Sequence, residues 1–395
     1  AAAARPLPKA GRAAVPYLGL VRAGAGLSVA AFAAVVAFAA FDPGGPNGGR
    51  DGATAASIEI QDAAGGAATD STSNKYAAPE STAPLLGPAS GGGGAPGGSG
   101  GVGGTDALPE GDTGIASKYP GDVGLAKDPS VIFFDDFESY AAPADLNKTY
   151  DSVYQLNQIR IATEAGSFHA GKKGLEFKVP KQDAELSNAV DKVLPQERDL
   201  LFLRYYSKFM PPFDVVGSSH NGSIISAHYF VNGNATPGVP ADGKNKFLAA
   251  LEDWRGEAAT KSPGPLNVYI YHPEQRSQWG DHFFPTGTVL PNSSLKADFG
   301  PSFVSRPDVT PDLGKWYCYE FMVKANTPGK RDGRIAFWLD GKLTADFQNL
   351  RLRDIDSLKI DRFQLALHIG SNKTGETKKW YDDVVAASSY IGPMK

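Results

Sequence analysis

Residues 266–275 read LNVYIYHPEQ, and their strict alternation of side-chain character constrains this chain more than any other stretch. In an extended strand successive side chains point to opposite faces, so Val268 and Ile270 share one side while Asn267, Tyr269 and Tyr271 share the other. One side is apolar; the other carries two phenols and an amide. Such a strand belongs to a sheet that packs on a second layer through its apolar face and turns the other face to solvent or to a ligand. Strand-like runs also occur at 131–134, 174–179, 200–209, 223–230, 316–324, 334–339, 362–369 and 380–387, separated by Gly, Pro, Asn and Asp. Short strands joined by turn residues predict an all-β sandwich over residues 128–395. Asp340-Gly341 carries a hairpin signal, because glycine supplies the positive φ that the turn requires. Helix is a minor component, confined to a short turn over 246–254.

The rest of the chain sets bounds. Cys318 is the single cysteine, so no intrachain disulfide and no cysteine-built zinc site can form, and the fold must hold through its core. A formal charge of −4 with no Lys/Arg cluster argues against a nucleic-acid partner. Arg5, Lys9, Arg12 and Arg22 precede an uncharged run over 23–41, which contains Ala37-Phe38-Ala39 and closes at Asp42-Pro43. Residues 1–41 therefore read as an export signal, or as a membrane anchor if the run is kept, since about 20 apolar residues span a bilayer. Either reading predicts a secreted or extracytoplasmic protein. Residues 42–127, including the run SGGGGAPGGSGGVGG, lose all period. Their composition cannot bury enough apolar surface to offset chain entropy, which predicts a disordered tether.

DDFE at 135–138, RDGRIAFWLDGK at 331–342 and KWYDDVVAASSYIG at 379–392 resemble the concanavalin A-like jelly roll of alginate and glucuronan lyases. LFLRYYSKFMPPFDVVG at 201–217 is similar to the strand and turn of viral-type alginate lyases; where those carry a lysine-bearing turn, this chain has Gly217-Ser218-Ser219-His220-Asn221-Gly222. The resemblance spans most of 131–392 and implies first and last strands that lie near each other. It implies a polysaccharide partner, while lectins and glucanases share the architecture.

Parity extends the alternation. Arg204, Tyr206 and Lys208; Ser226 and His228; Asn267, Tyr269 and Tyr271; and Gln364 and His368 each fall on the polar side of their own strand. If the four strands share one hollow, its lining suits β-elimination of a uronic-acid polymer. The sugar carboxylate is neutralised by a cation or amide, a base removes the C5 proton, and an acid protonates the departing oxygen. The expected roles are Arg204 or Lys208 for neutralisation, His228 as base and Tyr271 as acid, with Tyr206, Ser226, Asn267, Tyr269, Gln364 and His368 binding sugar. The alternative is a noncatalytic glycan-binding or adhesion module of the same fold. No cofactor or metal is needed for either. Asp135, Asp136, Glu138, Asp382 and Asp383 gather if the terminal strands pair, which leaves room for a structural calcium ion or for solvated acids. His272 is expected to cap a turn, His282 to be packed and neutral, and Trp254 with Arg255 to lie half-buried or to form a sugar platform.

Overall fold

A computed structural model describes residues 107–217, 219–291, 298–370 and 375–395. The predicted leader, residues 1–41, and residues 42–106 of the predicted tether lie outside them. No helix of the described residues is long and apolar enough to cross a membrane.

The described chain is a sandwich of two antiparallel sheets. Sheet I contains β1 (Val131–Asp135), β3 (Ile159–Ala162), β4 (Gly174–Val179), β6 (Leu200–Phe209), β15 (Tyr317–Lys324), β16 (Gly333–Leu339), β17 (Lys342–Leu350) and β19 (Thr377–Ala387), in the order β17-β16-β15-β6-β19-β4-β3 with β1 also on β19. Sheet II contains β2 (Ser152–Tyr154), β5 (Leu186–Arg198), β7 (Ser219–His220), β8 (Ser223–Ala227), β11 (Phe247–Asp253), β12 (Leu266–Tyr271), β13 (Asp281–Phe283), β14 (Val289–Leu290) and β18 (Ile360–Ile369). Its order is β14-β13-β12-β11-β8-β18-β5-β2, with β7 also on β18. A small hairpin, β9 (Phe230–Val231) and β10 (Asn234–Ala235), stands apart.

The alternation read from the sequence sorts side chains correctly within each strand. Leu203 and Tyr205 of β6, Ile225 of β8, Val268 and Ile270 of β12, and Phe363, Leu365 and Leu367 of β18 all enter one apolar core between the sheets. The first and last strands pair, Val131 opposite Ala387 and Phe134 opposite Val385. Asp340 and Gly341, both at positive φ, form the tight turn between β16 and β17. Residues 246–254, expected as a helical turn, instead supply β11, a central strand of sheet II hydrogen-bonded on both edges to β8 and β12. Pairing on two sides overrides the helical preference of its Leu and Ala residues.

The module also begins earlier than the composition indicates. Residues 107–127, expected to belong to the tether, form a run of 3₁₀ turns over Gly111–Thr113, Ile115–Lys118, Pro120–Asp122 and Leu125–Lys127. This strap lies on the outer face of sheet I. Ile115, Ala116 and Leu125 pack with Phe202, Met322, Trp338, Val385 and Ile391 in a second apolar cluster. Trp338 Nε1 donates to Pro109 O at 2.8 Å, Gly111 N to Gly341 O at 2.8 Å and Gly121 N to Lys395 O at 2.8 Å. Sequence composition misses this because the strap supplies few apolar residues of its own and borrows its core from the sheet beneath.

Candidate active site

The four polar strands predicted to share one hollow do not share a sheet. β6 lies in sheet I, whereas β8, β12 and β18 lie in sheet II. Parity fixes which way a side chain points relative to its own sheet, but in a sandwich the outer faces of the two sheets look in opposite directions. Arg204, Tyr206 and Lys208 are therefore on the far side of the core from Ser226, Asn267, Tyr269, Tyr271, Gln364 and His368.

Arg204 is a structural residue. It is fully buried beneath the strap, where Nη2 pairs with Asp122 and donates to Asp383 O at 3.1 Å. Burial alone would lower its pKa; the Asp122 carboxylate outweighs that and holds the guanidinium charged, its pKa raised. Tyr206 accepts from Met394 N at 2.9 Å and stacks under His169, with ring centroids 3.5 Å apart. His228, expected as the base, follows β8 in a left-handed conformation with φ of 50°. Its half-exposed ring Nε2 lies 2.9 Å from Glu197 Oε1, so it leaves the strand's alternation and joins a surface pair.

What gathers on the outer face of sheet II is a different set. His220, His282 and His368, three of the chain's six histidines, surround Tyr269 or one another. The His220 ring centroid is 4.8 Å from that of Tyr269 and 5.5 Å from that of His368; the His282 ring is 5.0 Å from Tyr269. Glu252 of β11, almost fully buried, ties two of them together, its Oε2 at 2.6 Å from His220 Nδ1 and its Oε1 at 3.6 Å from His282 Nδ1. Asn267 Oδ1 is 2.8 Å from the same His282 nitrogen, and the Trp254 ring stacks on His282 at 4.6 Å. Ser187 Oγ is in hydrogen-bond contact with His368 Nδ1. Ala189, Ile224, Ala250 and Ala366 provide a floor of small and apolar side chains on the same face. Across that floor, in the row Tyr269–Ala250–Ile224–Gln364, stands the Gln364 side chain. It is buried, and neither its amide oxygen nor its amide nitrogen has a hydrogen-bond partner among the described residues. An amide left this way costs free energy unless a further group completes it.

Local structure explains how these groups meet. His220 sits on β7, opposite His368, and Asn221-Gly222 joins it to β8. A Cβ at Gly222 would lie 1.9 Å from Leu251 O, so only glycine allows this approach to β11. From the core side, the Tyr381 hydroxyl reaches Ala366 O at 2.6 Å and Gly222 O at 3.3 Å, and Lys379 Nζ donates to Asn221 O. Asn221 in turn accepts from Asp253 N and donates to Asp253 O. The link that aims His220 is thus clamped from both sheets.

The cluster is roofed. Gly280 N donates to the Tyr269 hydroxyl at 2.9 Å and Gly238 N to the Tyr271 hydroxyl at 3.2 Å. A Cβ at Gly238 would lie 3.3 Å from the Trp279 indole, so the loops over 228–246 and 272–280 touch above the sheet. Tyr271, the expected acid, lies under the first of these loops with Tyr229 and Lys246, whose ammonium is 4.7 Å from each ring. Burial pushes Lys246 down to about 8. Ser226 is buried on the same face, its hydroxyl without a hydrogen-bond partner among the described residues. His272 is on the other side of the sheet, Nε2 at 3.0 Å from Asp281 Oδ2, in a cleft of about 450 Å³ at the sandwich rim shared with Arg276 and Arg331.

The five acids expected to gather for calcium do not form one group. Asp135 accepts from Tyr140 OH and Phe137 N, Asp136 from Glu138 N, Glu138 from Lys172 N and Lys173 N, and Asp382 from His169 N and Ala170 N. Asp383 faces His169 Nδ1 at 2.7 Å. Among the described residues no group of three or more His, Cys, Asp or Glu side chains is placed to hold a metal ion.

Sequence reasoning missed His220 and Glu252 and read His282 as merely packed. The signal for Glu252 was available in the alternation Leu248, Ala250, Glu252 once 247–253 is taken as a strand; His220 lies on a two-residue strand that no period could mark.

No curated protein matches the chain. Among solved structures, alginate lyase Aly36B is 18% identical over 66% of this chain and 98% of its own, with a TM-score of 0.48. An endo-β-1,4-glucuronan lyase from the fungus Trichoderma reesei is 16% identical over 66% and 96%, with a TM-score of 0.42. The marine PL-14 alginate lyase from Aplysia kurodai is 12% identical over 66% and 99%, with a TM-score of 0.45. Residues 253–389, which carry Asn267, Tyr269, His282, Gln364 and His368, match the sequence model of the family Polysaccharide lyase 14, and the C-terminal module resembles the jelly-roll polysaccharide lyases.

Proposed function

We propose that the module is a lyase that cleaves a uronic-acid polymer by β-elimination on the outer face of sheet II. The observation that carries this reading is the Glu252–His220 pair set against the Tyr269 ring. A buried carboxylate on Nδ1 fixes the tautomer and makes Nε2 the basic nitrogen, which is the arrangement a general base requires. His220 takes the C5 proton, the Tyr269 hydroxyl protonates the leaving oxygen, and the C4–O bond breaks as the C4–C5 double bond forms. Gln364, whose amide has no hydrogen-bond partner among the described residues, stands three strands from Tyr269 on the same face and is assigned to binding a polar group of the polymer. The match of 253–389 to a polysaccharide lyase family supports the reaction class. For substrate to enter, the Trp279 and Gly238 loops part. The run over 23–41 supports an exported or surface-tethered protein.

The roof over Tyr269 favours one second reading, a glycan-binding module without chemistry. The two separate in one assay: the protein is incubated with alginate and glucuronan, and ultraviolet absorbance of the unsaturated product end is followed. Growth of that absorbance, lost in His220→Ala, supports the lyase; binding of intact polymer with no absorbance rejects it.

A further inference from the structure

The strap and the C-terminal tail cover part of the outer face of sheet I and leave a different part open. Across the open part runs one cross-strand row. Lys208 pairs with Trp380, Trp380 with Glu176, and Glu176 with Arg160, and the row continues to Trp316, next to the Tyr317–Ser207 pair. All five point away from the core, since their chain neighbours Ser207 and Phe209, Tyr381, Leu175 and Phe177, Ile159 and Tyr317 face the other way. Five strands span about 19 Å at the usual strand spacing.

The chemistry of the row is specific. Lys208 Nζ lies 5.1 Å from the Trp316 ring centroid and 4.8 Å from that of Trp380, and donates to Gly166 O. No carboxylate pairs with it among the described residues, and burial lowers its pKa, so the ammonium is a half-buried charge without a counter-ion. Both indoles are half-buried, with Trp380 held by a 2.8 Å bond from Nε1 to Glu176 Oε2. Glu176 itself is neutralised by Arg160 at 2.8 Å and by Lys378 at 3.2 Å. An unpaired cation flanked by two indoles suits an acidic sugar chain, whose carboxylates take charge-assisted bonds and whose C–H faces pack on aromatic rings.

We propose that the row Trp316–Lys208–Trp380–Glu176–Arg160 is a second, noncatalytic binding surface for an acidic polysaccharide, with a uronate carboxylate on Lys208. This rests on the reading that the module meets a uronic-acid polymer. Because it faces away from sheet II, it holds one stretch of polymer while another reaches the His220 cluster, which raises the local concentration of cleavable chain.

The test uses the unmodified protein first. Surface amines are acylated with and without polyglucuronate or alginate, and with a neutral glucan as control, and labelling of each lysine is read by mass spectrometry. At a polymer concentration ten times its Kd, Lys208 labelling is expected to fall about tenfold with the acidic polymers and to stay unchanged with the glucan. In affinity electrophoresis, Lys208→Glu is expected to weaken retardation by acidic polymer about 10- to 100-fold, the loss of one charge-assisted contact. Retardation of the unmodified protein with Lys208 labelling unchanged overturns the second surface and leaves the lyase reading standing. Equal protection by the glucan overturns acidic recognition. No retardation by any uronic polymer overturns the substrate class on which both depend. Should Lys208→Glu lower Tm, the labelling of the unmodified protein decides.

Discussion

Asp122→Asn is expected to destabilise the module strongly while leaving the sheet II cluster untouched. The Arg204 guanidinium is fully buried, and its charge is balanced by the Asp122 carboxylate, whose side chain is 3% exposed. Its other hydrogen bonds go to the carbonyls of Asp383 and Gly392, which carry no net charge; it also lies 5.5 Å from the Tyr206 ring centroid and opposite Glu320 of β15, whose carboxyl burial pushes up to about 7. Removing one member of a buried pair leaves an uncompensated charge and costs about 3–5 kcal/mol. At about 2 °C per kcal/mol for a module of this size, Tm falls by about 6–10 °C. Urea unfolding gives the same quantity as a lower midpoint at constant slope. The paired replacement Asp122→Leu with Arg204→Met is expected to recover most of the loss, because apolar substitution of both partners is close to neutral. The reasoning is refuted if Asp122→Asn unfolds within about 0.5 kcal/mol of the parent, the range of an ordinary surface change. It is refuted equally if the folded double variant loses polymer cleavage, for Arg204 would then serve substrate rather than the strap.

Three further outcomes follow from the same structure. His220→Ala is expected to lower kcat about 10²- to 10⁴-fold, and Glu252→Gln about 10- to 100-fold, since it removes the orienting group and leaves the base; equal rates in all three proteins would remove the pair from the mechanism. Burial of Glu320 under the tail pushes its carboxyl up from 4.5 to about 7, outweighing the N–H bonds from Ile391 and Gly392. The folded state therefore holds that proton where the unfolded chain releases it, so this contribution to stability is whole below pH 4.5 and is lost by pH 7, about 3 kcal/mol in all. Carbon-detected NMR of the Glu320 carboxyl checks it, and titration below pH 5 contradicts it. Finally, a chain beginning at residue 128 is expected to be less stable than one beginning at 107 by at least about 3–6 kcal/mol, the burial of Ile115 and Leu125, with identical Tm values as the contrary result.

Much of this fold was legible because alternation is a local property. The bounds of β4 and β6 coincide with their sequence readings, and β12 fills the first six residues of the alternating stretch 266–275; the Asp340-Gly341 turn also forms as read. The site was legible only in part, because it depends on which sheet each strand joins. LFLRYYSKF has the same kind of polar face as LNVYIY, yet β6 is bonded to β15 and β19 and β12 to β11 and β13. Nothing in either strand encodes that partnership; it comes from connections across the whole module. His228 illustrates a second limit. It continues the parity of Ser226 on paper, but the chain turns to φ of 50° at that residue and the side chain leaves the face. Asn267, Tyr269, Gln364 and His368 lie on one face, as the parity expects, because β12 and β18 run straight at those residues.

The strap gives the order of synthesis a consequence. Its anchors include Glu320-bound Ile391 and Gly392, the carbonyl of Asp383 beside Arg204, and Lys395. The residues of the module that leave the ribosome first must therefore wait for those that leave among the last, tens of seconds later at ordinary elongation rates. Until then the cluster of Ile115, Leu125, Phe202, Met322 and Trp338 lacks the Val385, Tyr390 and Ile391 that complete it, and Arg204 has only part of its cage. A nascent chain of this kind needs protection on that one surface, and closing the strap marks the moment at which the protection can be released.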